Sequence, residues 1–390
     1  MKQKNIKLYT SKKNCDFCKD KLTAPYKPIN TKRNILTYRC KNCSLLQSIP
    51  QKKFKSFPNP SMSFDADRSS IMYTKELVLP SHISFFKKNK VNFSKINSCL
   101  DIGSNRGCFS RFILSKNKNI KITAVETRKE LIKNYKFNSN VKIYNTRYEI
   151  FEINKKFDFI YNVHTLEHLT SCSLAIKKMK KHLAHNGLLF IAVPNINSID
   201  NKFFEEVFID PHTFHFTNNV LIKIFNKFGL KIIAKNISGD ELQYLLTKDL
   251  KILEYNNNAH IEKKHYFFYD KRSLYLYKNK IAKNRLSLKK KAKKIKKLLL
   301  NKINIVFWGA GRIFDGLIKL GNIKPSPNIR IIDGNLYKYF KTLHNFRILK
   351  PSDLKRNESK SILVICSRVY KDSIIREGKK YFFKKYIKVF

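Results

Sequence analysis

No apolar run in this sequence approaches the ~20 residues that a membrane-spanning helix needs. Met1-Lys2-Gln3-Lys4-Asn5 leads into no apolar core of the kind that marks a secretory signal. Neither a membrane span nor export is expected, and a cytoplasmic location follows. Acid is scarce: 28 Asp and Glu stand against 80 Lys and Arg, a formal charge of +52. That balance raises nucleic acid as a partner, because basic side chains neutralise phosphate. Yet only 15 of the basic residues are Arg, the type favoured where phosphate or a base edge is gripped bidentately. The lysines spread over the whole chain among Ile and Asn, which is compositional bias as much as a binding face. One true cluster, Lys280 to Lys297, reads as a solvated helix face between domains. A hydrophobic content of 43% supplies buried cores and leaves little place for disorder, and 390 residues give room for two or three domains.

A disulfide framework is also missing. Cys99, Cys108, Cys172 and Cys366 lie scattered in apolar segments, as small buried hydrophobes do. The other four form two C-x-x-C knuckles, Cys15-Asp16-Phe17-Cys18 and Cys40-Lys41-Asn42-Cys43, separated by 21 residues. Two thiolates of one knuckle can occupy adjacent corners of a tetrahedron around Zn²⁺, and the second pair closes it. Four thiolates leave no open position, so the metal is expected to be structural. It would stand in for the core that a module of ~50 residues cannot build. A redox pair would want a thioredoxin-like βαβ pattern beside it, and none is visible.

The richest stretch is Asp101-Ile102-Gly103-Ser104-Asn105-Arg106-Gly107, with Glu126 nineteen positions after Gly107. Ile96 to Leu100 reads as a strand, Cys108 to Leu114 as an amphipathic helix, and Ile120 to Val125 as a second strand ending at Glu126. Gly103 and Gly107 let the backbone turn tightly and approach a ligand, toward which the helix's first N–H groups point. An acid at the tip of the second strand is placed to hold the hydroxyls of a ribose. The dinucleotide pattern G-x-G-x-x-G is not met, because position 105 is Asn. Further on, Phe157 to Val163 is a strand of the kind buried on both faces, followed by His164-Thr165-Leu166-Glu167-His168-Leu169. A helix (Ser173 to Leu183), a turn at His185-Asn186-Gly187 and the strand Leu188 to Val193 come next, ending at Pro194-Asn195.

A D-x-G-x-x-x-G loop with a strand-end acid, followed by these segments in this order, resembles the class I methyltransferases, which bind S-adenosylmethionine. The zinc knuckle ending in Ser44-Leu45-Leu46-Gln47, together with the loop I-G-S-N-x-G, is similar to one branch of that class, the three-domain sugar C-methyltransferases. These act on nucleotide-linked deoxysugars. The resemblance implies an α/β fold: a Rossmann-like methyltransferase core, a zinc-binding amino-terminal module and a second Rossmann-like domain. The expected bounds are 1–55 for the zinc module, 56–238 for the core, 239–300 for a helical connector and 301–390 for the last domain. It also implies that Asp101, Gly103, Ser104, Asn105, Gly107, Glu126 and Asn162 hold the donor, with Tyr148 and Glu149 as weakly marked adenine contacts.

The acceptor is expected over the carboxyl ends of the strands, where Glu167, His168, His212 and His215 are the candidates. In Asp210-Pro211-His212-Thr213-Phe214-His215-Phe216-Thr217, alignment on the Phe-Thr end places the family's general base on His212, with His168 as a second possibility. Asp210 and Pro211 depart from the family's His and Glu, which puts carbon methylation in doubt and leaves O- and N-methylation open. Arg106 also replaces a common acid. Past the basic segment, Ile303 to Phe307 enters Trp308-Gly309-Ala310-Gly311, a helix (Ile313 to Leu320) follows, and Ile329 to Ile332 ends at Asp333. Gly309, Gly311 and Asp333 suggest a dinucleotide, but the third glycine position is Phe314. The resemblance instead implies a nucleotide-sugar substrate. An RNA methyltransferase would want clustered Arg and aromatics on the zinc module, which shows scattered Lys. A scaffold with a decayed donor site would want Asp101, Gly103, Gly107 or Glu126 missing, and all four are present.

Overall fold

Strands form where the apolar runs lie, and the order of their pairing decides where a ligand can sit. The computed structural model describes residues 14–28, 35–49, 74–135, 138–201, 203–205, 207–209, 212–237, 239–249, 271–338, 341–354 and 357–390. It divides into two compact units. The first takes the described residues up to Leu274 apart from 203–205, and the second takes 203–205 with everything after Leu274.

The first unit opens with β1 (Leu22–Tyr26), β2 (Leu36–Cys40) and β3 (Leu46–Ile49). Then come α1 (Thr74–Lys88), β4 (Ser98–Ile102), α2 (Cys108–Lys116), β5 (Lys121–Glu126), β6 (Val141–Asn145) and β7 (Phe157–Val163). The unit closes with α3 (Cys172–His182), β8 (Leu183–Pro194), β9 (Phe214–His215), α4 (Asn218–Lys227), β10 (Lys231–Asn236) and β11 (Glu241–Thr247). The large sheet has the order β10-β11-β8-β7-β4-β5-β6, and only β11 runs antiparallel to its neighbours. From β4 the chain first winds outward through β5 and β6, then returns to the other side of β4 with β7. The crevice beyond the carboxyl ends of β4 and β7 is therefore the switch point at which such sheets bind ligands.

Two expectations about boundaries are corrected here. A limit at 238 cuts the sheet, because β11 lies inside it, between β8 and β10. A limit at 55 likewise separates segments that share one fold. The sheet β1-β2-β3-β9 takes its last strand from within the expected core, pairing Leu46 with His215 and Gln47 with Phe214. Cys15, Phe17 and Leu22 pack in one hydrophobic core with Leu166, Cys172 and Phe214. The expected turn at His185-Asn186-Gly187 is a bulge within β8: the register on β7 advances from Phe157 to Phe159 while β8 advances from Leu183 to Leu188. A Cβ at Gly187 would stand 2.9 Å from the Phe157 carbonyl.

The face of the sheet under α1 and α2 is filled by rings. Phe109 of α2 stacks on Tyr161 of β7 with centroids 3.7 Å apart and planes 3° from parallel, and it also meets Phe86, Phe93 and Phe159. Such offset and edge contacts add to the burial of large apolar area.

The second unit contains α5 (Lys271–Leu300), β12 (Ile305–Trp308), α6 (Arg312–Gly321), β13 (Ile329–Ile332), β14 (Thr342–Leu343), β15 (Phe346–Leu349), β16 (Ile362–Ile365), α7 (Lys371–Lys380) and β17 (Lys385–Lys388). Its sheet has the order β14-β15-β13-β12-β16-β17, doubly wound about β12 and parallel except for the β14 edge. On α5, Ile281, Leu288, Ala292 and Ile295 form a buried stripe at helical spacing. Lys289, Lys290, Lys293 and Lys294 are exposed, so the basic cluster is one face of an amphipathic helix. Among the described residues no helix is long and apolar enough to cross a membrane.

Replacing Phe109 by Ala removes the ring at the centre of this aromatic layer. The expected loss is about 3–5 kcal/mol, read as a fall in the urea midpoint of the first unit; an unchanged midpoint contradicts the packing described.

Candidate active site

The loop after β4 is held by its neighbours before any ligand is considered. Gly103 N and Ser104 N both donate to the carbonyl of Val125 at the end of β5, at 2.8 and 3.1 Å. Gly103 has φ +64°, and a Cβ there would lie 2.2 Å from the Thr165 hydroxyl oxygen. Gly107, with φ +76°, would crowd the Tyr135 ring at 3.0 Å. These are the two positions where a side chain is excluded both by backbone conformation and by space. Asn105 is also left-handed, at φ +54°, a conformation Asn tolerates.

Glu126 sits where a ribose acid is expected and does a second task. Its Oε2 accepts from Asn105 N at 2.7 Å, and its Oε1 accepts from Arg128 N at 2.9 Å. The carboxylate therefore clips the glycine loop to the second strand while Oε2 keeps acceptor capacity for a ligand hydroxyl. Asp101 is fully buried. Ser110 Oγ donates to its Oδ2 at 3.0 Å, while Oδ1 has no hydrogen bond among the described residues. Burial raises its pKa to about 6, against the opposing charge of Lys75. Asn162, beside Ile102 in the β4–β7 register, is fully buried, and among the described residues neither of its amide atoms nor Asn105 Oδ1 has a hydrogen-bond partner. Buried polar groups are nearly always satisfied, so this row of orphan atoms around one loop is the mark of a polar ligand.

Sequence reasoning missed several residues here. Lys75 of α1 reaches the Ile102 carbonyl at 3.4 Å. Glu76, whose pKa burial raises, stands 3.6 Å from Arg106. That ion pair accounts for the departure at position 106: the arginine answers an acid on α1. Tyr148 does not fit its adenine role. It is a core residue, hydrogen-bonded through its hydroxyl to His182 Nδ1 at 3.1 Å and packed on Phe151. Glu149 ties loops together, accepting from Arg147 Nη2 at 2.6 Å and Thr170 N at 3.0 Å.

Beyond β7, the turn 164–168 and the segment carrying His212 meet. Thr213 N donates to the Glu167 carbonyl at 2.7 Å, and the rings of His168 and His212 have centroids 4.9 Å apart. His212 Nδ1 is engaged by the Val207 carbonyl at 2.8 Å. Burial, helped by the charge of His168, lowers its pKa to about 3 and keeps it neutral. His215 is spent elsewhere, on Ser48 Oγ at 2.8 Å. Asp210 and Pro211 lie outside the described residues. A buried chain unseen in the sequence runs from Tyr161 OH to His82 Nδ1 (2.7 Å), from His82 Nε2 to Glu241 (2.9 Å) and from Glu241 to His164 Nε2 (2.8 Å). His164 Nδ1 then stands 3.4 Å from Glu167. Burial opposes a charge on His164, but the Glu167 and Glu241 carboxylates raise its pKa to about 9. Burial likewise opposes a charge on Glu167, yet His168 and His164 hold its pKa at about 2. The one available signal was a lone acid, Glu241, at the head of the mostly apolar β11.

The cysteine quartet converges. Sγ atoms of Cys15 and Cys43 are 3.4 Å apart, those of Cys18 and Cys40 are 3.3 Å apart, and all four lie within 4.8 Å of one another. None of the eight cysteines forms a disulfide. A tetrahedron of thiolates at Zn–S ≈ 2.3 Å spaces its sulfurs roughly 3.8 Å apart, so the set fits zinc with a slight outward shift. The two knuckles are built alike, each ending on a left-handed residue, Lys19 or Ser44. Gln47 explains its place in the motif: it accepts from Asp16 N at 3.0 Å and donates to the Asn14 carbonyl at 3.2 Å.

In the second unit, Asp333 closes its own loop, accepting from Ala310 N, Asn335 N and Leu336 N at 2.7–2.9 Å. Phe314, at the third glycine position, is a core ring against Phe307 and Phe346.

A family model described as a methyltransferase domain matches residues 60–235. Over those residues the chain is thus similar to methyltransferase domains. The chain is 32% identical over 101 residues to (S)-coclaurine N-methyltransferase of Thalictrum flavum subsp. glaucum, covering 24% of this chain and 28% of that protein. It is 30% identical over 136 residues to a ubiquinone biosynthesis O-methyltransferase of Pelagibacter ubique (strain HTCC1062), covering 30% and 53%. The matches thus span about half or less of those relatives. Among solved structures, the N-methyltransferase NodS of Bradyrhizobium japonicum WM9 in complex with S-adenosyl-L-homocysteine is similar, at 17% identity and a TM-score of 0.37, covering 47% of this chain and 93% of that one.

The Asp101 carboxyl gives a pH test of the donor loop. Its folded pKa lies above the ordinary 3.8, so its contribution to stability is complete below that value and is lost as pH rises through about 6. Asp101→Asn is therefore expected to be more stable than the parent at neutral pH, with the gap closing on acidification below 3.8. Thermal unfolding across that range checks it, and a pH-independent difference contradicts it.

Proposed function

We propose that this chain transfers the methyl group of S-adenosylmethionine to a small polar acceptor, a nucleotide-linked sugar or related glycan precursor. The observation that carries the reading is the donor loop, where Asp101 Oδ1, Asn105 Oδ1 and both amide atoms of Asn162 are buried without partners beside Glu126. Glu126 would hold the ribose, Gly103, Ser104 and Gly107 would let the backbone approach, and Asn162 and Asp101 would meet the polar methionine part. The chemistry is an in-line displacement. The acceptor's electron pair forms the bond to the methyl carbon, and the carbon–sulfur pair stays on sulfur, leaving a neutral thioether. The protein's task is alignment, with a route for the proton that a hydroxyl or carbon acceptor releases. Glu167, His168 and His212, at the end of β7, are the groups proposed to face that acceptor.

The sugar class is supported by the combination of a Cys-rich sheet, a methyltransferase core and a separate α/β sheet wound about β12, the layout of the sugar C-methyltransferases that the motifs resemble. We assign the quartet Cys15, Cys18, Cys40 and Cys43 to structural zinc. In cobalt-substituted protein, Cys40→Ser combined with Cys43→Ser is expected to abolish the thiolate-to-cobalt charge-transfer band and lower the unfolding temperature. Retention of the band rejects the assignment.

The function is tested by supplying methyl-labelled donor with a panel of nucleotide-sugars and bulk RNA. Label is expected in a nucleotide-sugar; label in RNA, or in nothing while the donor binds, overturns the acceptor class. Glu126→Ala should weaken donor binding by about ten- to a hundredfold, the worth of a charged hydrogen bond. His212→Ala should spare donor binding and cut turnover about a hundredfold or more.

A further inference from the structure

One group of side chains beside the donor loop has the makings of a second metal centre. A carboxylate oxygen of Glu167 and one ring nitrogen each of His168 and His212 lie within 4.8 Å of one another. Nitrogen and oxygen ligands at ~2.1 Å from a common ion stand roughly 3.0–3.4 Å apart. A closing of up to about 1.4–1.8 Å, within the reach of side-chain rotation, brings the three to one ion.

Two independent features point to a ligand. Glu167 is 1% exposed, with His164 at 3.4 Å and His168 at 3.8 Å both facing its Oε1 at ion-pair distance; among the described residues neither oxygen accepts a hydrogen bond, so lone pairs are left for an ion. His212 also has the backing of a metal ligand, whose far atom is pinned by a hydrogen bond. His212 Nδ1 is held by the Val207 carbonyl, which leaves Nε2 with its lone pair. His164 Nδ1 stands 3.4 Å from Glu167 Oε1, and His164 is itself braced by Glu241, His82 and Tyr161.

We propose that Glu167, His168 and His212 bind one divalent transition-metal ion whose remaining coordination positions take an oxygen of the acceptor. Two imidazoles and one carboxylate suit zinc, iron, cobalt or manganese, and three protein ligands leave positions open, as catalytic centres do. An acceptor hydroxyl bound there is acidified. Its proton passes to water, its oxygen pair bonds the methyl carbon, and the carbon–sulfur pair remains on sulfur. The role given to the acceptor rests on the methyl-transfer reading above; the ion site itself does not.

The test is titration of Co²⁺ into the full chain, followed by visible absorption, with S-adenosyl-L-homocysteine binding measured on the same samples. The parent is expected to take up one cobalt whose spectrum lacks thiolate charge transfer, in addition to any held by the cysteine quartet. Glu167→Gln and His168→Ala should each weaken that uptake at least tenfold while the homocysteine product still binds. His168 is part-exposed, so its variant keeps the test open should the Glu167 change disturb folding. Absence of a thiolate-free cobalt signal in the parent, or equal uptake by both variants, overturns the site. Cobalt uptake without binding of the product upholds the site and removes the methyl-transfer reading instead.

Discussion

The hydrogen bond from Asn105 N to Glu126 is the contact on which the site depends. It fixes the distance between the tip of β5 and the loop after β4, so the backbone is shaped before any ligand arrives. Because the loop's glycines exclude side chains through Thr165 and Tyr135, the same contact sets how closely that loop approaches the turn after β7. The second unit repeats the device with other residues: Asp333 at the end of β13 accepts from Ala310 N in the loop after β12. In both sheets a strand-end acid organises the neighbouring loop, which is why such an acid alone is weak evidence for a dinucleotide.

Much of this was legible in the sequence, and the limits are instructive. Phe157 to Val163 and Ile329 to Ile332 were readable because strands buried on both faces are continuous apolar runs. The loop Asp101 to Gly107 was readable because its glycines and acids are chemically unusual against a Lys-rich background. What failed depended on distant pairing. β9 is two residues long and exists only because β3 lies beside it, and β11 is inserted between strands that precede it in the chain. Tyr148 was misplaced because an aromatic after a strand looks the same whether it faces a ligand or the core. The His82–Glu241–His164 chain spans 159 residues of sequence separation, and nothing local marks it.

The donor loop is also where the structure departs from good packing practice. Orphan atoms on Asp101, Asn105 and Asn162 are liabilities in an empty fold and assets in an occupied one, the usual compromise at functional sites. The neighbouring aromatic layer, with Phe109 on Tyr161, supplies the rigidity that lets those atoms stay fixed while unsatisfied.

The pairing of β3 with β9 has a further consequence. Ser48 N donates to the Thr213 carbonyl at 2.8 Å, and Ser48 Oγ meets His215, so the strand leaving the second cysteine knuckle carries the residues that flank His212. The second knuckle is thereby tied by four residues of backbone to the segment that positions His212, so a distortion of either reaches the other.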